Sequence, residues 1–255
     1  MICHATDNRS AAGGSTDVLM VSKSAKTGQK FLESEIGTIR KSWRHKIRIA
    51  LVYPNRYHVG MSSLGYQTLY DLLNGLDQVV CERVFLPESK GSETARPTTL
   101  ESGRPMADAD IIAFSISFEN DYPHLLTLLE QAEIPLQSSA RTTRHPLVIA
   151  GGVACFLNPE PIAPFIDCFL LGEAEGILPR FFEVFETGAD KGELLKNLAC
   201  HVPGAYVPAF YHARYHNDGR LAAFEPRGEV PPKIKRVTLN DLNQISTSSA
   251  VVTPH

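Results

Sequence analysis

The chain has 255 residues, is 43% hydrophobic and 21% charged, and carries a formal net charge of −3. This is the composition of a globular protein with a full core, and it predicts one main domain with appendages. The balance gives no general attraction to nucleic acid or an anionic membrane; Arg40-Lys41, Arg44-His45-Lys46 and Arg141/Arg144 read as solvated faces. No apolar run approaches the ~20 residues of a membrane span. The opening MICHATDNRSAAGGSTD lacks the basic-then-apolar order of a secretory leader, so a cytoplasmic location is expected.

Residues 1–45 read as a flexible tail and lead-in, rich in Ser, Thr, Gly, Ala and Lys at the start and without sustained periodicity. From Ile47 onward, strand and helix signals alternate. Short apolar runs at Ile47–Tyr53, Val79–Leu86, Asp110–Ser117, Leu147–Ala150 and Asp167–Leu171 predict strands covered on both faces, hence a parallel sheet. Between them, Leu69/Leu72/Leu73/Leu76, Leu125/Leu128/Leu129/Ala132 and Leu178/Phe181/Phe182/Phe185 repeat at i, i+3, i+4, i+7 and predict amphipathic helices. The pattern predicts an α/β fold, a doubly wound, flavodoxin-like parallel sheet of five strands over residues 46–200.

Pro87–Asp108 is long and rich in Ser, Thr, Glu and Pro, and reads as a surface excursion or an active-face loop. A further helix is expected near Glu193–Ala199. Residues 201–255 read as a small β-hairpin followed by a linker: Ala205–His216 and Arg220–Glu225 flank Asn217-Asp218-Gly219, and Gly228–Pro254 has little apolar content.

Cys3, Cys81, Cys155, Cys168 and Cys200 are scattered and odd in number, with no CxxC or CxxxCxxC. They predict neither a disulfide framework nor a metal knuckle, and Cys155 and Cys168 read as small core residues. GxSxG, Walker and GxGxxG patterns are absent, which removes most of the weight from hydrolase and NTP-binding readings.

In a parallel sheet all strand carboxyl ends share one rim, where ligands bind in open α/β folds. That rim collects Asn55, Tyr57, His58, Gly60, Met61 and Ser62 after the first strand and Ser115 and Ser117, with Glu119 and Asn120, after the third. Gly151 and Gly152 follow the fourth, and Gly172 and Glu173, with Glu175, the fifth. Glycines there admit a flat ligand close to backbone amides, and hydroxyls and amides orient it. The bland readings stand beside this: Gly151-Gly152 as a turn, Ser62 or Ser63 as a helix N-cap, Glu173/Glu175 as complements of a helix dipole, and His58 as a surface histidine.

The segments IRIALVYPNRYHVGMSSLGYQTLYDLLN, ERVFLP, DIIAFSISFENDYPHLLTLLEQAEIPL and HPLVIAGGVACFLNPEPIAPFIDCFLLGEAEGILP occur in this order over Ile47–Pro179. Read together, they resemble the N-terminal region of radical SAM proteins that carry a cobalamin-binding-type domain ahead of the catalytic barrel. The resemblance implies a corrinoid on the rim. It also implies a following barrel domain, in cis or trans, that holds a [4Fe-4S] cluster through CxxxCxxC and cleaves S-adenosylmethionine.

That cysteine motif is absent from these residues, so the chain is expected to be a fragment ending ahead of the catalytic domain, with no SAM-cleaving activity of its own. Where relatives supply a cobalt-ligating histidine from DxHxxG, this chain has Arg56-Tyr57-His58-Val59-Gly60. The acid is replaced by Arg56 and the glycine lies one residue nearer, so no metal ligand is expected. The alternatives are a cofactor-free interaction module of the same fold and a flavodoxin-like domain for another nucleotide or flavin; neither a nucleic acid nor a membrane partner is expected.

Overall fold

The computed structural model describes residues 28–87, 96–241 and 249–254. At its centre lies a six-stranded sheet of β1 (Ile47–Val52), β2 (Val79–Val84), β3 (Ile111–Ser115), β4 (Leu147–Gly151), β5 (Cys168–Leu170) and β6 (Ala205–Tyr206). Their order is β2-β1-β3-β4-β5-β6, with β1 to β5 parallel and β6 antiparallel to β5. All five expected strands form. The sheet has six strands rather than five because Ala205-Tyr206 pairs with Phe169 and Leu170 instead of entering the hairpin. A two-residue strand is too short for any periodicity to show.

The helices are α1 (Tyr57–Met61), α2 (Leu64–Asn74), α3 (Tyr122–Gln131), α4 (Val153–Leu157), α5 (Ala174–Val184) and α6 (Lys191–His201). Alternate strand residues divide the core into two layers. Ile49, Leu51, Ile111 and Ala113 face α2, α5 and α6, whereas Ala50, Val52, Ile112 and Phe114 face α3 and the 3-10 turn Glu160–Phe165. Ser63 caps α2 by accepting from the Tyr66 N–H, and Asp190 caps α6 by accepting from the Glu193 N–H at 3.1 Å.

Polar side chains fix the helices to the sheet. The buried Asn74 amide accepts from the Cys81 N–H and donates to the Cys81 carbonyl, tying the end of α2 to β2. The Asp167 carboxylate accepts from the Val148 N–H at 2.8 Å and pairs with Arg141 and Lys191. Arg83 on β2 lies between Glu35 at 2.7 Å and Glu101 at 2.6 Å, all three side chains essentially closed to solvent. Burial alone would raise the Glu35 carboxyl, yet Arg83 holds it below its ordinary value; burial prevails at Glu101, which is raised.

Glu101 belongs to the stretch read as a surface excursion or active-face loop. Its described part covers the free edge of β2, with the Leu100 N–H donating to the Arg83 carbonyl at 2.7 Å; residues 88–95 lie outside the described residues. The tail at 1–27 also lies outside them, while residues 28–34 of the lead-in are helical.

β7 (Tyr211–Tyr215) and β8 (Leu221–Pro226) form the expected antiparallel hairpin around Asn217-Asp218-Gly219. The following segment, read as a linker, instead docks on the domain. The Val237 N–H donates to the Leu171 carbonyl at 2.9 Å and the Glu173 N–H to the Val237 carbonyl at 3.0 Å. Farther on, Val251 is buried and Ile36 bridges Val252.

Candidate functional site

The first face of the sheet carries a cleft of about 480 Å³ between α2 and α5. Its floor is Ile49, Ile111, Ala113 and Ile149; Leu69, Leu72 and Leu73 form one wall and Ile177, Leu178, Phe181 and Phe182 the other. The apolar stripes of both helices face inward, as their i, i+3, i+4 spacing requires. At the strand carboxyl ends the lining turns polar, with Ser63, Ser115, Ser117, Gly151, Gly152, Glu173 and Glu175; Phe156 of α4 stands beside them.

Backbone geometry shapes this end. Gly152 has φ +104°, and a Cβ there would fall 2.9 Å from the Ile116 nitrogen. Only glycine lets the turn after β4 lie directly on the segment leaving β3. The Ile116 N–H donates to the Gly151 carbonyl at 2.9 Å, extending the β3–β4 pairing into the rim. A volume of this size, mostly apolar with a few converging hydroxyls and amides, suits a small molecule or the end of a larger cofactor. The lining contains no histidine, cysteine or lysine; its ionisable side chains are Glu173, Glu175 and Tyr66.

Six of the twelve rim residues read from the sequence meet at the cleft: Ser115, Ser117, Gly151, Gly152, Gly172 and Glu173. The other six, all from the segment after β1, lie outside its lining. Tyr57 is buried, stacks on Phe31 with ring centroids 3.9 Å apart and donates to Glu35 at 2.6 Å. Met61 places its sulfur 3.3 Å from the Arg83 guanidinium, and Gly60 packs under Phe85, where a Cβ would lie 2.9 Å from Cδ1. Exposed His58 sets its ring edge-on to Phe31 and Tyr57. Ser62 donates to the Val59 carbonyl, and Ser63 is the actual N-cap.

Asn55 donates to Asp121 at 2.8 Å, joining the loops after β1 and β3 where the sheet changes winding direction. Asp121 is buried, its Oδ2 accepts no hydrogen bond among the described residues, and burial raises its carboxyl above the ordinary value. His124 lies 3.8 Å away, its Nδ1 3.0 Å from the Pro54 carbonyl.

Sequence reasoning did not select the helix-wall residues or Phe156 as site residues, although GGVACF places Phe156 four residues after the Gly152 turn. It also missed the C-terminal segment at the rim. Glu173, read as a dipole complement, accepts from the Leu239 N–H.

Cys155 and Cys168 are fully buried core residues, as expected; burial pushes the Cys155 thiol up to about 12. Among the described residues no three His, Cys, Asp or Glu side chains gather as for a metal ion, and no helix is long and apolar enough to cross a membrane.

No solved structure matches the chain. An uncharacterized protein of Methanocaldococcus jannaschii is 25% identical over 142 residues, covering 53% of this chain and 27% of that protein. The chain thus spans about a quarter of the relative's length. The family model for the N-terminal region of radical SAM proteins matches residues 65–208, from the first turn of α2 past β6 and so over both cleft walls. With more than half of its length matched, the chain belongs to the family of radical SAM proteins, N-terminal.

Proposed function

We propose that this chain is the cofactor-bearing N-terminal domain of a radical SAM enzyme: a flavodoxin-like, cobalamin-type module whose cleft receives the flat nucleotide end of a corrinoid. The observation that carries the reading is the cleft between α2 and α5, with an apolar floor and with Ser115, Ser117, Gly151 and Gly152 at its polar end. The parallel strand order 2-1-3-4-5 is the order of flavodoxin-like sheets, which bind cofactors at this rim. In this reading the two serine hydroxyls and the Gly151-Gly152 backbone hold the polar edge of the ligand, and Ile111, Ala113 and Ile149 take its apolar face. When bound, a corrinoid supplies a cobalt centre able to carry an alkyl group or electrons. His58, outside the cleft lining, gives it no ligand; the [4Fe-4S] cluster and S-adenosylmethionine belong to a downstream barrel domain.

The same rim is the face we assign to that barrel. Val59, Leu64, Phe118, Val153 and Leu157 are exposed on the segments that follow β1, β3 and β4. Exposed large apolar side chains, of which Leu64 and Val153 also line the cleft, mark an interaction surface. They also support the second reading, a cofactor-free module of the same fold that only docks.

Titration of the purified chain with hydroxocobalamin, followed by absorbance and gel filtration, separates the two readings. A shifted corrinoid spectrum that co-elutes with protein is expected. Unshifted absorbance with all corrinoid in the small-molecule fraction would overturn the cofactor reading.

A further inference from the structure

Val237 sits in a socket made of three glycines. A Cβ on Gly172 would fall 2.7 Å from the Val237 Cβ, one on Gly176 2.9 Å from its Cγ1, and one on Gly204 3.0 Å from its Cγ2. Two backbone hydrogen bonds to the end of β5 and the Leu239 N–H on Glu173 complete the clamp. Three positions that any side chain would block, together with paired backbone bonds, fix the direction in which the neighbouring residue leaves.

That neighbour is Arg236. Its guanidinium lies 4.4 Å from the centroid of the Phe156 ring, and Phe156 lines the polar end of the cleft. Arg236 therefore reaches from the β5 side of the mouth to its β4 side. Among the described residues it has no carboxylate partner; the cleft lining itself contains no lysine or arginine, and Arg236 meets it through Phe156. Of the two nearby acids, Glu173 is occupied by the Leu239 amide, and Glu175 lies in the first turn of α5, where the helix dipole offsets its charge. A guanidinium stacked on an aromatic ring keeps its in-plane N–H groups free for a planar or tetrahedral anion.

We infer that Arg236 is a ligand-binding residue of the cleft, recognising an anionic substituent such as a phosphate ester, sulfonate or carboxylate on a ligand whose apolar body enters between α2 and α5. This deepens the proposed function, since a corrinoid nucleotide carries a phosphodiester, but it concerns the charge of the ligand rather than its identity.

The test uses two dyes that share one skeleton: 1-anilinonaphthalene-8-sulfonate, which carries the anion, and N-phenyl-1-naphthylamine, which does not. Fluorescence titrations are run on the full chain and on Arg236→Gln, Arg236→Lys and Phe156→Leu. Arg236→Gln is expected to weaken the sulfonate dye about fivefold and leave the neutral dye within twofold. Arg236→Lys and Phe156→Leu should fall between, because each removes the stacked geometry while keeping a cation. Equal effects on both dyes, no effect on either, or failure of the wild-type chain to bind the sulfonate dye would overturn the inference. Failure of hydroxocobalamin to bind while the dye preference responds to Arg236 would instead overturn the corrinoid reading and leave this one standing.

Discussion

The α-carbon of Gly172 faces the backbone of Val237 so closely that a Cβ on it would lie 2.6 Å from the Val237 nitrogen. Gly172 also has φ +141°, where L-residues are strained. Gly172→Ala is therefore expected to cost about 1–3 kcal/mol and to release residues 236–239 from β5. Urea denaturation measures the first effect. Limited trypsin digestion reads the second, with faster cleavage after Lys235 or Arg236 than in the wild-type chain.

Arg83 holds two buried carboxylates, and its removal leaves both without a counter-charge. Arg83→Met is expected to lose about 3–5 kcal/mol. Tyr57 should loosen with it, because its hydroxyl partner Glu35 is one of the two. The urea midpoint gives the magnitude. Near-ultraviolet circular dichroism, sensitive to the Phe31–Tyr57 stack, reports the local change.

Neighbouring serines after β1 should behave differently. Ser63 accepts from the Tyr66 N–H and caps α2, so Ser63→Ala is expected to cost about 1 kcal/mol. Ser62 is exposed and donates to the Val59 carbonyl of the short helix before it, so Ser62→Ala should stay within about 0.5 kcal/mol. Paired thermal melts distinguish them.

Burial raises the Asp121 carboxyl despite Asn55 and His124. With the folded value above the unfolded one near 3.8, the folded state binds the proton more tightly. Stability is then full below the unfolded value and declines as pH rises through the folded one. Asp121→Asn should remove that decline. Urea midpoints measured at intervals from pH 4 to pH 7 should fall less steeply for the variant than for the wild-type chain.

What the sequence disclosed follows from how far each signal extends along the chain. The five parallel strands were legible because each is an apolar run buried on both faces, and α2, α3 and α5 because each carries an apolar stripe. β6 was not, since Ala205-Tyr206 is recognised only by the strand beside it. The rim was half legible. Ser115, Ser117, Gly151 and Gly152 leave adjacent strands and converge by topology alone, whereas the segment after β1 is pulled beneath the surface by Tyr57 and Met61. Those two sit four apart, at helical spacing, which was the available clue that this loop folds onto Phe31 and Arg83. The docking of Val237 was hidden because Gly204 and Val237 itself lie far in sequence from the Gly172/Gly176 pair, and only the fold makes the three glycines one socket.

The cleft itself is tested most directly by filling it. Ala113 is on its floor, and Ala113→Phe would occupy the space assigned to the ligand. Hydroxocobalamin is mixed with each protein and passed over gel filtration, with urea midpoints confirming that both remain folded. The wild-type chain is expected to retain the corrinoid and Ala113→Phe to lose at least nine-tenths of it. Equal retention by both proteins, or none by the wild-type chain, would contradict that assignment.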